Sequence, residues 1–176
     1  MKPPKKLIFI HGPAGVGKST ACAMLHDRLA GSAWVESEWC GCTNPFDWNP
    51  ERQALVERNM SFMLRSYLEC SIVQYVILNW GLHAPRKQIL DRVLGSISDL
   101  EYEFIPIILL CSEDEHIRRM SRDGRSDERI ARSIGTRELY DVQSCPIIDT
   151  TGIDVGETVE RILEIVDSDV TEGRSS

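Results

Sequence analysis

Gly12-Pro13-Ala14-Gly15-Val16-Gly17-Lys18-Ser19-Thr20 sets three glycines, one lysine and two hydroxyls in the spacing G-x-x-x-x-G-K-[ST]. Gly12, Gly15 and Gly17 let the backbone take positive φ and come close to an anion. The backbone N–H groups of Pro13–Thr20, proline excepted, can then turn inward on a phosphate, helped by the positive end of a helix opening near Lys18. Lys18 adds a mobile point charge, and the Ser19 hydroxyl suits a Mg²⁺ ligand. The chemistry implied is the binding of a nucleoside triphosphate with Mg²⁺.

The flanking elements fit that task. The apolar run Leu7-Ile8-Phe9-Ile10 predicts a first strand over Lys6 to His11. Ala21, Met24, Leu25 and Leu29 recur at helical spacing just after the loop. Ala33 to Glu36 reads as a second strand, and Glu51 to Cys70 as a long helix. Ile72 to Leu78 is a nearly continuous apolar run, as expected of a parallel strand covered on both faces. Pro85 suits the first turn of the next helix. Phe104 to Leu110 reads as a fourth strand, where Pro106 points to a local edge. Ser112 with Glu115 predicts a capping box, and Asp154 with Glu157 a similar pairing. A further helical stretch is expected over Asp127 to Tyr140, then a short strand Pro146 to Asp149 and a last helix. This alternation predicts an α/β sandwich around a parallel sheet.

The chain has 176 residues, enough for one domain with a real core. Residues 1–167 are expected to form that domain, and 168–176 a polar, disordered tail. No stretch approaches a membrane span, and the N-terminal apolar segment is too short for a secretory signal, so a cytoplasmic protein is expected. A net charge of −7 argues against a general nucleic-acid surface. Of the six cysteines only Cys40 and Cys42 are close, and without a nearby histidine they make a poor zinc pattern.

Two branches of triphosphate-binding proteins fit badly. Asp149-Thr150-Thr151-Gly152 matches D-x-x-G, but it follows the last strand, and no N-K-x-D guanine motif is present. A remodelling or transport ATPase needs an apolar strand ending in Asp, whereas Ile72 to Leu78 is followed by Asn79-Trp80-Gly81. The remaining features are the phosphate loop, Glu36-Ser37-Glu38-Trp39 after the second strand, the arginine-rich stretch after the fourth, and Ile148 to Gly152. Over nearly its whole length the chain resembles the shikimate, gluconate and nucleotide kinase-like group of P-loop proteins. That resemblance implies a three-layer P-loop NTPase fold. Its five-stranded parallel sheet would have the order 2-3-1-4-5, with helices on both faces and a short helical lid over about residues 112–140. It also implies ATP and Mg²⁺ as cofactors.

In such kinases an acidic D-x-D-like pair follows the second strand. Here Glu replaces Asp at both positions. Glu36 is expected in the Mg²⁺ water shell beside Ser19, and Glu38 as base or acceptor-orienting group. Side chains alternate along a strand, so both reach one side only if the strand finishes between them or shortly before. In Arg118-Arg119-Met120-Ser121-Arg122-Asp123-Gly124-Arg125, Arg119 and Arg122 are expected at the transferred phosphate, with Arg125 a further nucleotide contact and Gly124 a hinge.

Open α/β sheets bind ligands beyond the carboxyl ends of their strands. Trp39, Phe46 and Trp48 follow the second strand and Trp80 the third, so three of the four tryptophans fall at that rim. Flat aromatic faces suit stacking on a base, ring or sugar. Asn44, Asp47, Asn79 and His83 add polar groups. Arg58 and Arg65, on the helix that follows, are candidate clamps for an anionic acceptor. Trp39, Trp48, Trp80, Arg58, Glu36 and Glu38 are therefore the expected acceptor residues.

The reading is a kinase that transfers the γ-phosphate of Mg-ATP to a hydroxyl or phosphate of a small molecule, such as a nucleoside, nucleotide or sugar acid. Two alternatives stand beside it: an ATP-binding regulator without catalysis, and a nucleic-acid end kinase. The acceptor, the oligomeric state and a strict choice between ATP and GTP are not legible.

Overall fold

The fold is built outward from strand β1 (Lys5–His11), whose apolar residues are buried on both faces. In the computed structural model, which describes residues 3–82, 85–141 and 144–172, β1 pairs in parallel with β3 (Tyr75–Trp80) on one side and β4 (Tyr102–Leu110) on the other. Strand β2 (Ser32–Glu36) flanks β3, and β5 (Ile147–Asp149) flanks β4. The sheet is parallel throughout, with the order β2-β3-β1-β4-β5.

Strand alternation divides the core into two layers. Leu7, Phe9, Val76, Leu78 and Trp80 face the cluster that includes Val56, Met60 and Leu64 of α2 (Pro50–Glu69) and Ile89 and Val93 of α3 (Arg86–Gly95). Ile8, Ile10, Ile77 and Leu109 face α1 (Lys18–Arg28) and α7 (Val155–Glu172), through Leu25 and Ile162 among others. The remaining helices are α4 (Glu113–Arg122), α5 (Asp127–Ile134) and the single turn α6 (Glu138–Asp141). Among the described residues no helix is long and apolar enough to cross a membrane.

Four local expectations are corrected. The third strand runs Tyr75–Trp80, not Ile72 to Leu78. Ile72 is 82% exposed in the turn after α2, while the pairing of His11 with Trp80 carries the strand past the polar Asn79. The stretch Asp127 to Tyr140 breaks into α5 and α6 at Gly135, where the Thr136 hydroxyl caps the Ser133 carbonyl. The capping box at Ser112 forms only in half. Its hydroxyl accepts from the Glu115 N–H, but its own N–H donates to Thr151 Oγ1 and the Glu115 carboxylate takes Arg118 and Arg119 instead. Helix α7 continues to Glu172, into the segment expected to be a disordered tail, and 173–176 lie outside the described residues.

Pro106 sits where its sequence requires. Ile108 N–H and Leu110 C=O bond towards β5, so by parity the missing N–H of Pro106 faces the same side, before β5 begins at Ile147.

Candidate functional site

At the carboxyl ends of the strands lies a cleft of about 930 Å³, lined by Pro13–Thr20 of the loop, by Glu36 and Glu38, and by arginines from the α4–α5 region. The loop has the backbone that its glycines imply: φ is +148° at Gly12, +87° at Gly15 and +98° at Gly17, which caps α1. Gly12 lies beneath the cleft, where a Cβ would fall 2.3 Å from the Leu109 carbonyl oxygen. At Gly15 a Cβ would fall 2.4 Å from Met120 Cγ of α4. The loop is therefore shaped by its own backbone and held from above by α4.

That hold has two polar parts that the sequence pattern did not reveal. His116 of α4 donates its Nε2–H to the Ala14 carbonyl at 2.6 Å, and the Ser133 hydroxyl of α5 donates to the same oxygen at 2.8 Å. Burial lowers the His116 pKa despite the Ala14 bond, which keeps the ring neutral with its proton on Nε2. Both residues lie more than a hundred positions from Ala14, so no local motif announces them.

Lys18 rests on the loop itself, its Nζ donating to the carbonyls of Gly12 at 3.0 Å and Pro13 at 2.7 Å. Desolvation pushes its pKa down to about 8, against the pull of Glu36 and Glu38. The charged form therefore gains from any anion brought to the loop.

The carboxylates fall as strand parity dictates. β2 ends at Glu36, which shares the α1-facing side with Trp34, and Glu38 lies just beyond the strand. Register pairs Glu36 with Asn79. Asn79 Nδ2 donates to both Glu36 oxygens, at 2.8 and 2.9 Å, and to Ser19 Oγ at 3.4 Å. Its Oδ1 accepts from Trp34 Nε1 at 2.7 Å, which fixes the amide orientation, since an indole can only donate. Asn79 was expected on the acceptor side; it instead ties the Glu36 carboxylate to the Ser19 hydroxyl. It stands at the end of the strand beside β1, where an acidic residue commonly completes the Mg²⁺ shell of P-loop proteins. Here that position is neutral, and its amide binds the carboxylate of Glu36 on the neighbouring strand. Glu38 is exposed in the cleft, its N–H 3.5 Å from Glu36 Oε1.

The donor set fits a Mg²⁺-nucleotide: a concave loop of N–H groups, a mobile lysine, one hydroxyl and one carboxylate. Among the described residues no three His, Cys, Asp or Glu side chains form a cation cage. A cation at Ser19 and Glu36 would complete its shell with phosphate oxygens and water, as Mg²⁺ commonly does.

The arginines divide. Arg119 is expected over the transferred phosphate, but its guanidinium is tied down: Nε to Glu115 at 2.6 Å, Nη1 to Thr150 Oγ1 at 3.0 Å and to Val16 O at 3.3 Å, and Nη2 to Thr150 O at 2.7 Å. It joins the loop to the β5–α7 turn as a fixed wall. Arg122 is 73% exposed, with Asp123 at 3.9 Å, and it lines the cleft with Arg125. Gly124, at φ +68°, ends α4 between them.

On the acceptor side three expectations are corrected. Trp39 is 76% exposed in the 3₁₀ turn Trp39–Gly41 and is not part of the cleft wall. Trp48 packs against the α2–α3 core cluster. Arg58 lies on the exposed side of α2 and faces a separate hollow with Asp47 and Leu55, while Arg65 is bound to Asp99. The long loop after β2 folds back on α2, held by the Asn59 amide on the Cys40 carbonyl, and leaves Trp39 exposed and Trp48 against the core. Trp80 and Phe46 do line the cleft, with Gly81, Arg86 and Tyr140. His83 lies outside the described residues.

The model of the family described as "AAA domain" matches residues 8–141. No curated protein matches the sequence. Solved structures with a similar fold include a tunicamycin resistance protein from Deinococcus radiodurans, at 22% identity over 92% of this chain and 95% of that one, TM-score 0.65. A gluconokinase from Sinorhizobium meliloti is 13% identical with full coverage of both chains, TM-score 0.66. Shikimate kinase from Acinetobacter baumannii, solved with shikimate, is 18% identical over 94% of both chains, TM-score 0.63. At such identities the likeness speaks for the fold, that of the P-loop kinases. The family match runs from β1 through α6, and on it the chain belongs to the AAA domain family.

Proposed function

We propose that the protein is an ATP-dependent small-molecule kinase, which moves the γ-phosphate of Mg-ATP to a hydroxyl or phosphate of its acceptor. The observation that carries this reading is the division of two carboxylates: Glu36 is joined through Asn79 to Ser19, and Glu38 stands free in the same cleft. A nucleotide-binding module without transfer chemistry needs only the first of these. The fold shared with a gluconokinase and a shikimate kinase supports the same reading.

When bound, Mg²⁺ would neutralise phosphate charge and orient the reacting group. The chain's own residues then have distinct tasks. The loop N–H groups and Lys18 hold the phosphates. Ser19 and Glu36 hold the cation side. Glu38 orients the acceptor hydroxyl and takes its proton. Arg122 and Arg125 reach over the cleft from the α4–α5 turn to stabilise charge and exclude water, while Arg119 positions the loop. The acidic net charge of −7 favours a small acceptor over a nucleic acid, and a cytoplasmic setting suits such an enzyme.

An ATP-consumption screen against nucleosides, nucleotides, sugar acids and hydroxylated antibiotics, with Lys18→Ala as control, tests the reading. The expected result is one acceptor class that raises turnover above the Lys18→Ala background. A flat screen across all classes would count against catalysis.

A further inference from the structure

Arg86 opens α3 just beyond the end of β3 and lines the acceptor end of the cleft with Glu38, Trp80 and Gly81. Its guanidinium lies against two indoles, 5.2 Å from the Trp48 ring centre and 5.7 Å from that of Trp80. Its Nε is buried and has no hydrogen-bond partner among the described residues. Arg52, whose charge also acts on Arg86, is buried beside the separate hollow, stacked 3.9 Å over Phe46 and bonded to the Thr43 hydroxyl. At this end of the cleft Arg86 faces one exposed carboxylate, Glu38. Burial lowers the Arg86 pKa first, the Arg52 charge lowers it further, and Glu38 pulls it back.

A buried donor left unmade costs free energy, more so when it belongs to a charged group. Other arginines near the cleft, such as Arg118 and Arg119, are paired with Glu115. The planar fork of an arginine matches the two oxygens of a carboxylate or phosphate. Trp48 and Trp80 hold that fork in place from its flanks, which explains their position better than stacking on a substrate ring would.

We propose that Arg86 binds an oxyanion, a carboxylate or a phosphate group, carried by the phosphoryl acceptor itself. This inference rests on the kinase reading above and narrows it to anionic acceptors. Neutral sugars, nucleosides and neutral antibiotics are then poor acceptors, because they leave Arg86 unpaired.

The test uses the full chain and matched acceptors: each nucleoside beside its 5′-monophosphate, each sugar beside its sugar acid. The anionic member of one pair should exceed its neutral partner in kcat/KM by about 100-fold. Which pair responds tells phosphate from carboxylate. Arg86→Gln should erase that preference while leaving ATP affinity and Tm unchanged, and Arg86→Lys, which keeps the charge but not the fork, should restore only part. Equal use of neutral and anionic acceptors, or an unaltered preference in Arg86→Gln, would overturn the proposal even if the kinase reading stands. A second measurement needs no turnover. With the loop filled by a non-hydrolysable ATP analogue and Mg²⁺, inorganic phosphate and simple carboxylates are titrated against tryptophan fluorescence. A saturable change that Arg86→Gln abolishes supports the oxyanion site, and no saturation with either anion in the wild-type chain overturns it. A flat acceptor screen beside a saturable titration would remove the kinase reading alone.

Discussion

The two ends of the cleft differ in how complete they are without a ligand. At the nucleotide end the polar groups already have partners. Lys18 rests on Gly12 and Pro13, His116 and Ser133 converge on Ala14, and Arg119 spans Glu115, Val16 and Thr150. At the acceptor end Arg86 keeps an Nε without a partner among the described residues, and Glu38 is exposed. The contrast has a physical sense. A triphosphate is bound by backbone geometry that the fold can build in advance, so preorganisation lowers the ordering cost of binding. An acceptor is recognised by side-chain charge, and those charges find their partner only when it arrives.

The contrast can be broken first at the nucleotide end. Lys18→Ala should lower nucleotide-dependent turnover by roughly 10²–10³-fold, the loss typical of removing one transition-state donor, as read in steady-state kinetics. The two carboxylates should then separate. Glu38→Gln should cost about 100-fold or more in kcat with ATP affinity unchanged, whereas Glu36→Gln should raise the Mg²⁺ concentration needed for half-maximal rate. Identical Mg²⁺ titrations in both variants would erase the distinction drawn through Asn79.

Acid should test the base of the loop next. His11 is buried, stacked 4.8 Å from Phe9, with Cys145 Sγ 3.5 Å from its Nε2. Burial first, then the Lys18 charge, lowers its pKa to about 4 from 6.5. The unfolded chain therefore takes up the proton first as pH falls. The stability that His11 contributes is complete above about pH 6.5 and is lost progressively towards pH 4, on the order of 3 kcal/mol in full. Urea midpoints at pH 7.5 and pH 5 should show the loss, and His11→Phe should flatten that slope.

Smaller effects sharpen the same comparison. Arg119→Lys loses a multiply bonded, half-buried guanidinium and should cost about 1–2 kcal/mol of stability. Arg122→Ala should leave stability within about 0.5 kcal/mol and act on kcat. Trp39→Ala, at an exposed position outside the cleft wall, should change neither Tm nor acceptor KM measurably.

Much of this was legible in the sequence, but unevenly. The loop is a local motif whose residue types set its backbone, so its strand, its three left-handed glycines and its helix all appear where expected. The sheet order came with the family resemblance and holds. The placement of Glu36 and Glu38 at the end of β2 was readable because strand alternation is local. Asn79 was misassigned because its task depends on a two-residue extension of β3 and on its pairing with Glu36, neither of which the apolar run Ile72 to Leu78 discloses. His116 and Ser133 were missed for a similar reason: they act across the chain on one carbonyl. Trp39 was misplaced because proximity in sequence to a strand end does not say which way a long loop turns, and Arg58 because its face of α2 looks to the separate hollow.

The central claim is phosphoryl transfer to a small anionic acceptor, and the fate of a labelled γ-phosphate tests it most directly. ATP labelled in that group is incubated with the protein, Mg²⁺ and the matched acceptor pairs, and the label is partitioned between inorganic phosphate and organic product. The account predicts label in an anionic acceptor, lost in Lys18→Ala and strongly reduced in Glu38→Gln. Label released only as inorganic phosphate, at one rate with and without every acceptor, would contradict it.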